Sequence, residues 1–317
     1  MTQRSSAQAQ SRLKPNPYCR RDREINILLL GQTGVGKSTF INAFANYIVN
    51  DSLNDAANDE MQAIVPSSFS YTMYGTSGED IEKMITIGEQ DEHEQFSDTG
   101  HSNTQQCRSF VFPIGDRNLR FIDTRGIGDT RSIEQDAKNF QEILTFIAQY
   151  EHLNGIFILL KPNEERLNIF FRFCINELLR HLHVNAKDNI IFIFTNARSS
   201  FFMPGTTKQL LQGLLDTHRA EQNVDVPFSR KNTLLFDNEP FRYLALRENG
   251  IQLDTEQTLS YSKSWDNSAK EYSRLMAHIV TCPLHGISKT LSLNEAEQLI
   301  RKFNRPVAEI ESYRKAM

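Results

Sequence analysis

The chain has 317 residues, of which 39% are hydrophobic, and its formal net charge at pH 7 is −4. This length is enough for one or two domains with a substantial core, and the small negative charge argues against a general affinity for nucleic acid or anionic lipid. Four scattered cysteines lack metal-ligand or disulfide-framework spacing, which favours a reducing, cytoplasmic location. The apolar runs fall short of the about 20 residues of a transmembrane helix, so membrane association is not evident in this segment.

The amino-terminal residues 1–24 are polar, basic and proline-containing, which is typical of a disordered tail. The alternative is a transit peptide, but the amphipathic apolar face that it would need is missing. From residue 25 onward, apolar runs typical of strands alternate with runs of helical period. The predicted strands are Ile25–Leu30, Gln106–Phe112, Leu119–Asp123, Gly155–Lys161, Asn189–Thr195 and Asn232–Phe236. The predicted helices are Lys37–Val49, Glu134–Tyr150, Leu167–His183, Thr207–Glu221 and Thr255–Val280. This alternation predicts an α/β fold with a doubly wound, mostly parallel sheet and helices on both faces, in which ligands bind beyond the carboxyl ends of the strands.

An acidic insert at about residues 51–103 interrupts the alternation, and Lys83 is its only lysine or arginine. Within it, SFSYTMY and IEKMITI are predicted to form a small β-hairpin, and the remainder is predicted to be loop. We expect one domain over residues 25–282. Residues 283–317 have a helical pattern and are expected to form an extension that offers a surface to a further partner.

The stretch after the first predicted strand matches the phosphate-binding pattern G-x-x-x-x-G-K-S/T. Its residues are Gly31, Gln32, Thr33, Gly34, Val35, Gly36, Lys37 and Ser38, followed by Thr39. Glycines allow successive backbone N–H groups to turn toward one anion, and the start of the next helix faces the same anion. Lys37 is expected to reach the β- and γ-phosphates, and the Ser38 hydroxyl to ligate Mg²⁺. The pattern therefore predicts a P-loop NTPase.

A second carboxylate near the metal is expected at the end of a neighbouring strand, and Asp123 in FIDTRG occupies such a position. Gly126 follows three residues later, where the absence of a side chain lets its N–H approach the γ-phosphate. A threonine that binds Mg²⁺ and γ-phosphate is expected shortly before this strand. Thr104 in SNTQQC is the first choice, and Thr99 is the alternative.

Four stretches, in this order, resemble the septin-like branch of the P-loop GTPases, which includes septins, the import receptors of the chloroplast outer envelope and the immunity-associated GTPases. The stretches are GQTGVGKST, SNTQQC, FIDTRGIGDT and FTNAR. The phrases LLKPN, TNAR and FDNEPFRYL resemble still more closely a set of poorly characterised large proteins. The resemblance covers about residues 25–280. It implies GTP and GDP as ligands with Mg²⁺, and a homodimer formed through the nucleotide face.

The sequence departs from the N-K-x-D pattern of Ras-like proteins at the position that selects the base. In N-K-x-D the aspartate accepts hydrogen bonds from guanine, whereas TNAR places Arg198 there, which cannot accept one. The loop after the last strand is expected to supply the acceptor instead, from Glu239 or else from Asp237. The remaining base contacts are expected from Thr195, Asn196 and Asn238, and Arg198 is expected either to stack on the base or to pair with an acid. The alternative for Asp237 and Asn238 is a simple turn.

Two further departures concern hydrolysis. Ile127 occupies the position of the glutamine that orients water in Ras-like proteins, so unassisted hydrolysis is expected to be slow. An arginine that reaches across a dimer would compensate, and Arg131 and Arg166 are the candidates, with Arg125 inside the switch as a further one. Two rival functions remain open. One is a nucleotide-stabilised scaffold that does not hydrolyse, and the other is an ATP-specific P-loop ATPase or kinase.

Overall fold

The computed structural model describes residues 23–74, 77–88, 104, 106–126, 133–164, 184–288 and 290. The sequence predictions that lie outside these ranges are the tail up to residue 22, the helix Leu167–His183, most of the extension 283–317, and the individual residues Thr99, Ile127, Arg131 and Arg166.

The described strands and helices follow the predicted alternation. The strands are β1 (Glu24–Gly31), β2 (Ser67–Tyr74), β3 (Asp80–Ile87), β4 (Arg108–Ile114), β5 (Arg117–Asp123), β6 (His152–Leu153), β7 (Gly155–Leu160), β8 (Ile190–Phe194), β9 (Thr233–Leu235) and β10 (His285–Gly286). The helices are α1 (Lys37–Val49), α2 (Leu53–Asn58), α3 (Ile133–Ile147), α4 (Thr207–Gln222), α5 (Glu239–Glu248) and α6 (Thr255–Ile279).

Six strands form the central sheet in the order β4-β5-β1-β7-β8-β9. All neighbouring pairs are parallel except β4 with β5, which is antiparallel and places β4 at one edge. In the centre of the sheet, Ile27 of β1 pairs with Phe121 of β5 and with Gly155 of β7. The prediction of a mostly parallel sheet is confirmed, and the carboxyl ends of β1, β5, β7, β8 and β9 meet at one edge of it.

Helices cover both faces of the sheet, as predicted. Successive residues of β1 point to opposite faces, so Ile27 and Leu29 belong to one buried cluster, and Leu28 and Leu30 belong to another. The first cluster includes side chains of α1, α5 and α6, and the second includes side chains of α3 and α4. The strands β1, β7 and β8 are apolar over almost their whole length because both of their faces are buried.

Phe40 on the second turn of α1 fixes that helix to the sheet. Its ring meets those of Phe121 and Phe236 edge to face, at centroid distances of 5.8 and 5.3 Å. Such pairs stabilise by about 0.5–1.5 kcal/mol each beyond the area they bury. The helix that follows the glycine-rich loop is therefore held against the carboxyl ends of β5 and β9, where the candidate residues lie.

The predicted hairpin in the acidic insert is confirmed, with β2 and β3 antiparallel and Ser67 opposite Ile87. The hairpin lies against α5, where Lys83 donates to the Asn249 carbonyl at 3.3 Å. The prediction of loop was wrong for α2. That helix begins after Ser52, whose hydroxyl accepts from the Asp55 amide, and it buries Leu53 and Ala56. In the described part of the chain, no helix has the length and apolar character required to cross a bilayer.

Candidate functional site

The glycine-rich loop joins β1 to α1 at the carboxyl edge of the sheet. Gly34 and Gly36 have φ of 73° and 98°, a region that other residues adopt only at a cost. At Gly31 a Cβ atom would lie 2.9 Å from both the Leu159 carbonyl oxygen and Cγ1 of Val35. Glycine is thus required at all three positions, for backbone conformation at two of them and for close packing at the third.

The start of α1 is suited to binding an anion. The first helical turn contains no acidic residue, and the unpaired N–H groups of a helix start carry partial positive charge. Lys37, the first helical residue, is 7% exposed, and its Nζ donates to the carbonyls of Gly31 at 3.2 Å and Gln32 at 3.4 Å. The ammonium group therefore lies across the loop, where it adds a full positive charge to the backbone dipoles.

Asp123, the last residue of β5, is fully buried. Neither carboxylate oxygen has a hydrogen bond of normal geometry to another described residue. Burial raises the pKa of Asp123 to about 6, although the charge of Lys37 and weaker polar contacts from Thr124 and Thr104 act in the opposite direction. A buried carboxylate without such partners is costly, so a bound cation would stabilise its charged form.

The residues around Asp123 fit a magnesium ion. Oxygen atoms are the ligands that Mg²⁺ prefers, and the ion usually takes only one or two carboxylates from the protein. Across the described ranges, no group of three or more His, Cys, Asp and Glu residues could hold a metal by itself. Thr104, which is 4% exposed, is a hydroxyl residue beside Asp123, and Ser38 follows Lys37 on α1. The structure thus brings Lys37, Thr104 and Asp123 together.

Gly126 lies directly against the glycine-rich loop. A Cβ atom at this position would come within 2.6 Å of Cα and 2.8 Å of the backbone nitrogen of Thr33. Since those are backbone atoms, no rotation of a side chain would relieve the overlap. Thr124, two residues earlier, donates from its hydroxyl to the Leu29 carbonyl at 2.7 Å and so fixes this segment to β1. Arg125 donates to Oδ1 of Asn139 on α3 at 3.3 Å.

Thr195 connects the loop after β8 to the glycine-rich loop. Its hydroxyl is fully buried and lies 2.7 Å from the Val35 carbonyl and 3.1 Å from the Leu160 carbonyl. The side chain therefore holds the two loops together. Asn196, the next residue, is exposed and has a φ of 54°, after which a short helical turn covers Ala197–Ser200.

Arg198 pairs with an acid, which is one of the two alternatives that the sequence left open. Its Nε lies 3.4 Å from Oδ2 of Asp237, and its guanidinium lies over the ring of Tyr261 at 4.6 Å from the centroid. Asp237 is 1% exposed, and Ser264 donates to the same oxygen. Burial raises the pKa of Asp237, while the Ser264 hydroxyl and Arg198 lower it.

Asn238 and Glu239 have different surroundings. Asn238 is 3% exposed, and neither atom of its amide has a partner within the part of the chain described. Glu239 is the first residue of α5, and its carboxylate accepts a hydrogen bond from Nη1 of Arg242 at 3.4 Å. Arg242 in turn lies over the ring of Phe69 in the hairpin, at 4.2 Å from its centroid.

The sequence analysis missed a set of residues that supports this loop. Tyr47 of α1 donates to the Asp237 carbonyl at 3.3 Å, and Ser268 of α6 accepts from the Asp237 amide at 3.0 Å. Tyr261, Ser264 and Ser268 recur at helical spacing, which places them on one face of α6. This spacing was visible in the sequence, but nothing there indicated that the face lies against the loop after β9.

Comparisons with known proteins add a limited result. No protein-family model and no curated protein sequence matches the chain. Toc33 from Arabidopsis thaliana in complex with Mg²⁺ and GMPPNP is 12% identical, with a TM-score of 0.49 over 84% of this chain and 90% of that one. The G domain of the T. maritima FeoB iron transporter is 13% identical, with a TM-score of 0.31 over 71% of this chain and 99% of that one. At these values the comparisons do not decide the ligand.

The sheet order and the site geometry define the class of the protein without those comparisons. A parallel sheet whose first strand leads through a glycine loop into a helix, with a lysine across the loop and a carboxylate at the end of the adjacent strand, is the arrangement of the P-loop NTPases.

Proposed function

We propose that this chain binds Mg²⁺–GTP at the loop Gly31–Ser38 and hydrolyses it slowly, as a nucleotide-dependent dimerising switch of the septin-like type in the cytoplasm. The observation that carries the proposal is the buried carboxylate of Asp123. It lies near Lys37 at the glycine-rich loop and has no hydrogen-bond partner of normal geometry within the described residues. A phosphate-bound magnesium ion would supply the missing charge at that carboxylate.

Triphosphate binding is assigned to the loop and to the start of α1. The loop amides surround the phosphates, and Lys37 neutralises charge on the β- and γ-phosphates. The hydroxyls of Ser38 and Thr104 and the carboxylate of Asp123 would hold the metal. Bound magnesium supplies positive charge that stabilises the phosphates during transfer. Gln32, Thr33, Gly34, Val35, Gly36 and Thr39 complete the proposed phosphate-binding residues.

The proposed sensor of the γ-phosphate is the segment around Gly126. The close approach of Gly126 to Thr33 brings the backbone after β5 to the phosphate loop with no side chain between them. A γ-phosphate at the loop would attract the Gly126 amide and the Thr104 hydroxyl, and its loss would release both. The chain would thereby change the surface of its nucleotide face between the two states.

Guanine is the proposed base. The loop after β9 carries two carboxylates, Asp237 and Glu239, and a carboxylate is the natural acceptor for the donors at N1 and N2 of guanine. Asn196, Arg198 and Asn238 complete the proposed base site, and Thr195 fixes it to the phosphate loop. Arg198 first suggested an ATP-specific protein. The pairing of Arg198 with Asp237 weakens that alternative, because the carboxylate of Asp237 can accept hydrogen bonds from guanine beside the arginine.

Slow hydrolysis and dimerisation belong to the same proposal. The aliphatic side chain of Ile127 cannot orient water, so an arginine donated by a second copy of the chain, Arg131 or Arg166, is proposed to complete the site. An arginine supplied in this way typically accelerates hydrolysis by about 10³–10⁵. The extension after residue 282 is proposed as a surface for a further partner.

Single-turnover release of γ-phosphate, measured across a wide range of protein concentrations, tests the proposal. The expected result is a rate per molecule that rises with concentration and that Lys37→Ala abolishes. Lys231→Ala removes an exposed lysine away from the loop and is the matched control. Release that never exceeds the buffer rate, in protein that binds GTP, would favour the scaffold. Preferential turnover of ATP would refute the guanine assignment.

A further inference from the structure

The two loops at the proposed base site carry opposite charges, and the acid is in the loop after β9 and not in the loop after β8. The loop after β8, which Thr195 connects to the phosphate loop, carries Arg198 where the N-K-x-D pattern has an acid. The loop after β9 carries Asp237, and the two charged groups meet at 3.4 Å. A carboxylate in the loop after β9 therefore lies beside the position of the N-K-x-D aspartate, where Arg198 pairs with it.

The surroundings of Asp237 fix its carboxylate in one orientation. Oδ2 accepts from the Ser264 hydroxyl and lies against Arg198, and the backbone N–H of Glu239 also donates to the carboxylate. The backbone is held as well, because Ser268 accepts from the Asp237 amide and Tyr47 donates to its carbonyl. A carboxylate held in this way is preorganised, and because each carboxylate oxygen can accept more than one hydrogen bond, it can still accept from a ligand.

Glu239 is less suited to the same task. Its side chain is 27% exposed and pairs with Arg242, which lies over Phe69 of the hairpin. The carboxylate is therefore associated with the hairpin side of α5, and no described contact joins it to the loop that Thr195 anchors. An exposed and flexible carboxylate also loses more conformational freedom when it binds a ligand.

We propose that Asp237, and not Glu239, accepts the hydrogen bonds of guanine N1 and N2, and that Arg198 is a positioning residue that keeps this carboxylate charged and oriented. The assignment rests on the proposed function, since it requires a purine nucleotide at the phosphate loop. The charged groups that face Asp237 are Arg198, which favours its ionised form, and Glu239, which opposes it. The hydroxyl of Ser264 also favours the ionised form.

The test is competition against a ribose-labelled fluorescent GDP analogue, in Mg²⁺, by GTP, ITP, XTP and ATP. Inosine lacks the N2 amino group, so ITP is expected to bind the unchanged chain at least about tenfold more weakly than GTP. Asp237→Asn is expected to invert the preference from GTP to XTP, because xanthine has an oxygen at C2 that accepts from the new amide. Glu239→Gln is expected to keep the ratio of GTP to ITP, and Asp266→Asn, which changes an exposed acid of α6, is the matched control.

A pH series isolates the role of Arg198. The affinity for GTP relative to ATP is expected to fall as pH decreases, because Asp237 becomes protonated, whereas protonation of Asp123 weakens both nucleotides. Arg198→Ala removes a charge that lowers the pKa of this carboxyl, so the loss of affinity is expected to begin at a higher pH than in the unchanged chain. Arg198→Lys keeps a positive charge and is expected to restore most of the difference. A merely structural role would weaken all nucleotides equally and would not shift the pH profile.

The outcomes separate this assignment from the proposed function. Equal displacement by GTP and ITP would refute the assignment and leave triphosphate binding intact. Loss of the guanine preference in Glu239→Gln but not in Asp237→Asn would transfer the role to Glu239. An identical pH profile in Arg198→Ala would refute the positioning role. Failure of every triphosphate to displace the probe would refute the proposed function, and this assignment with it.

Discussion

Replacing Asp123 with asparagine is expected to stabilise the nucleotide-free protein while it impairs magnesium-dependent binding. The carboxylate is fully buried and has no hydrogen bond of normal geometry to another described residue, so its charge costs free energy until a cation arrives. Asparagine has nearly the same shape and no charge. The substitution is therefore expected to raise the stability of the nucleotide-free protein and to lower its magnesium-dependent affinity for nucleotide. Few purely structural changes would produce both effects.

The pKa of Asp123 gives the size of the effect. A rise from the ordinary 3.8 to about 6 corresponds to about 3 kcal/mol of destabilisation above pH 6, because one pH unit is worth about 1.4 kcal/mol. The sign follows from the raised pKa of an acid. The penalty is absent below pH 4, grows as the pH rises between the unfolded and folded values, and is complete above the folded one. The asparagine amide is itself buried, so we expect a net gain of about 1–3 kcal/mol.

Urea unfolding at pH 7.5 in EDTA measures this gain, and the same experiment with Mg²⁺ and GMPPNP measures the loss of binding. At a ligand concentration one hundred times the dissociation constant, the unchanged protein is expected to gain about 2.7 kcal/mol. The Asp123→Asn variant is expected to gain much less. A variant that is less stable than the unchanged protein in EDTA, or that keeps the full stabilisation by Mg²⁺ and GMPPNP, would refute the reasoning.

Three further substitutions test the site. Gly126→Ala would drive a methyl group into the backbone of Thr33, so the affinity for GMPPNP relative to GDP, measured by calorimetry, should fall at least about tenfold, and an unchanged ratio would count against the sensor. Thr195→Val removes the hydroxyl that joins Val35 to the loop after β8 and should cost about 1–2 kcal/mol in urea unfolding, which Thr195→Ser should largely recover. Glu271→Gln removes the charge of a carboxylate that accepts from the Leu235 amide and pairs with Arg230 and Arg274. We expect a loss of about 1–3 kcal/mol in urea unfolding, and unchanged stability would show that these contacts do not stabilise the edge strand β9.

The periodicity of the sequence was sufficient to predict the sheet and its helices. The helix α1 begins and ends at the predicted residues, Lys37 and Val49, because a glycine loop precedes it and apolar residues continue to its last turn. Most strands were correct to within two residues. The clearest cases are β7 and β8, which are buried on both faces and therefore form unbroken apolar runs. The phosphate loop could be predicted as well, because its glycines and lysine are adjacent in the chain.

The missed features depend on contacts between distant parts of the chain. The helix α2 has only six residues, LNDAAN, of which three are Asn or Asp, and it is stabilised by burying Leu53 and Ala56 against other elements. The pairing of Arg198 with Asp237 joins two loops whose proximity follows from β8 and β9 being neighbours. The sequence showed each charge, but it did not show that they meet or that one face of α6 supports them.

The central claim is that the loop Gly31–Ser38 binds a magnesium-bound triphosphate. Calorimetric titration of the unchanged chain and of Lys37→Ala with GMPPNP in Mg²⁺, repeated in EDTA, tests it most directly. We predict one site in the unchanged chain, with an affinity that falls at least about a hundredfold in Lys37→Ala and markedly in EDTA. Well-folded protein that releases no heat, or a Lys37→Ala variant that binds as tightly as the unchanged chain, would contradict the account.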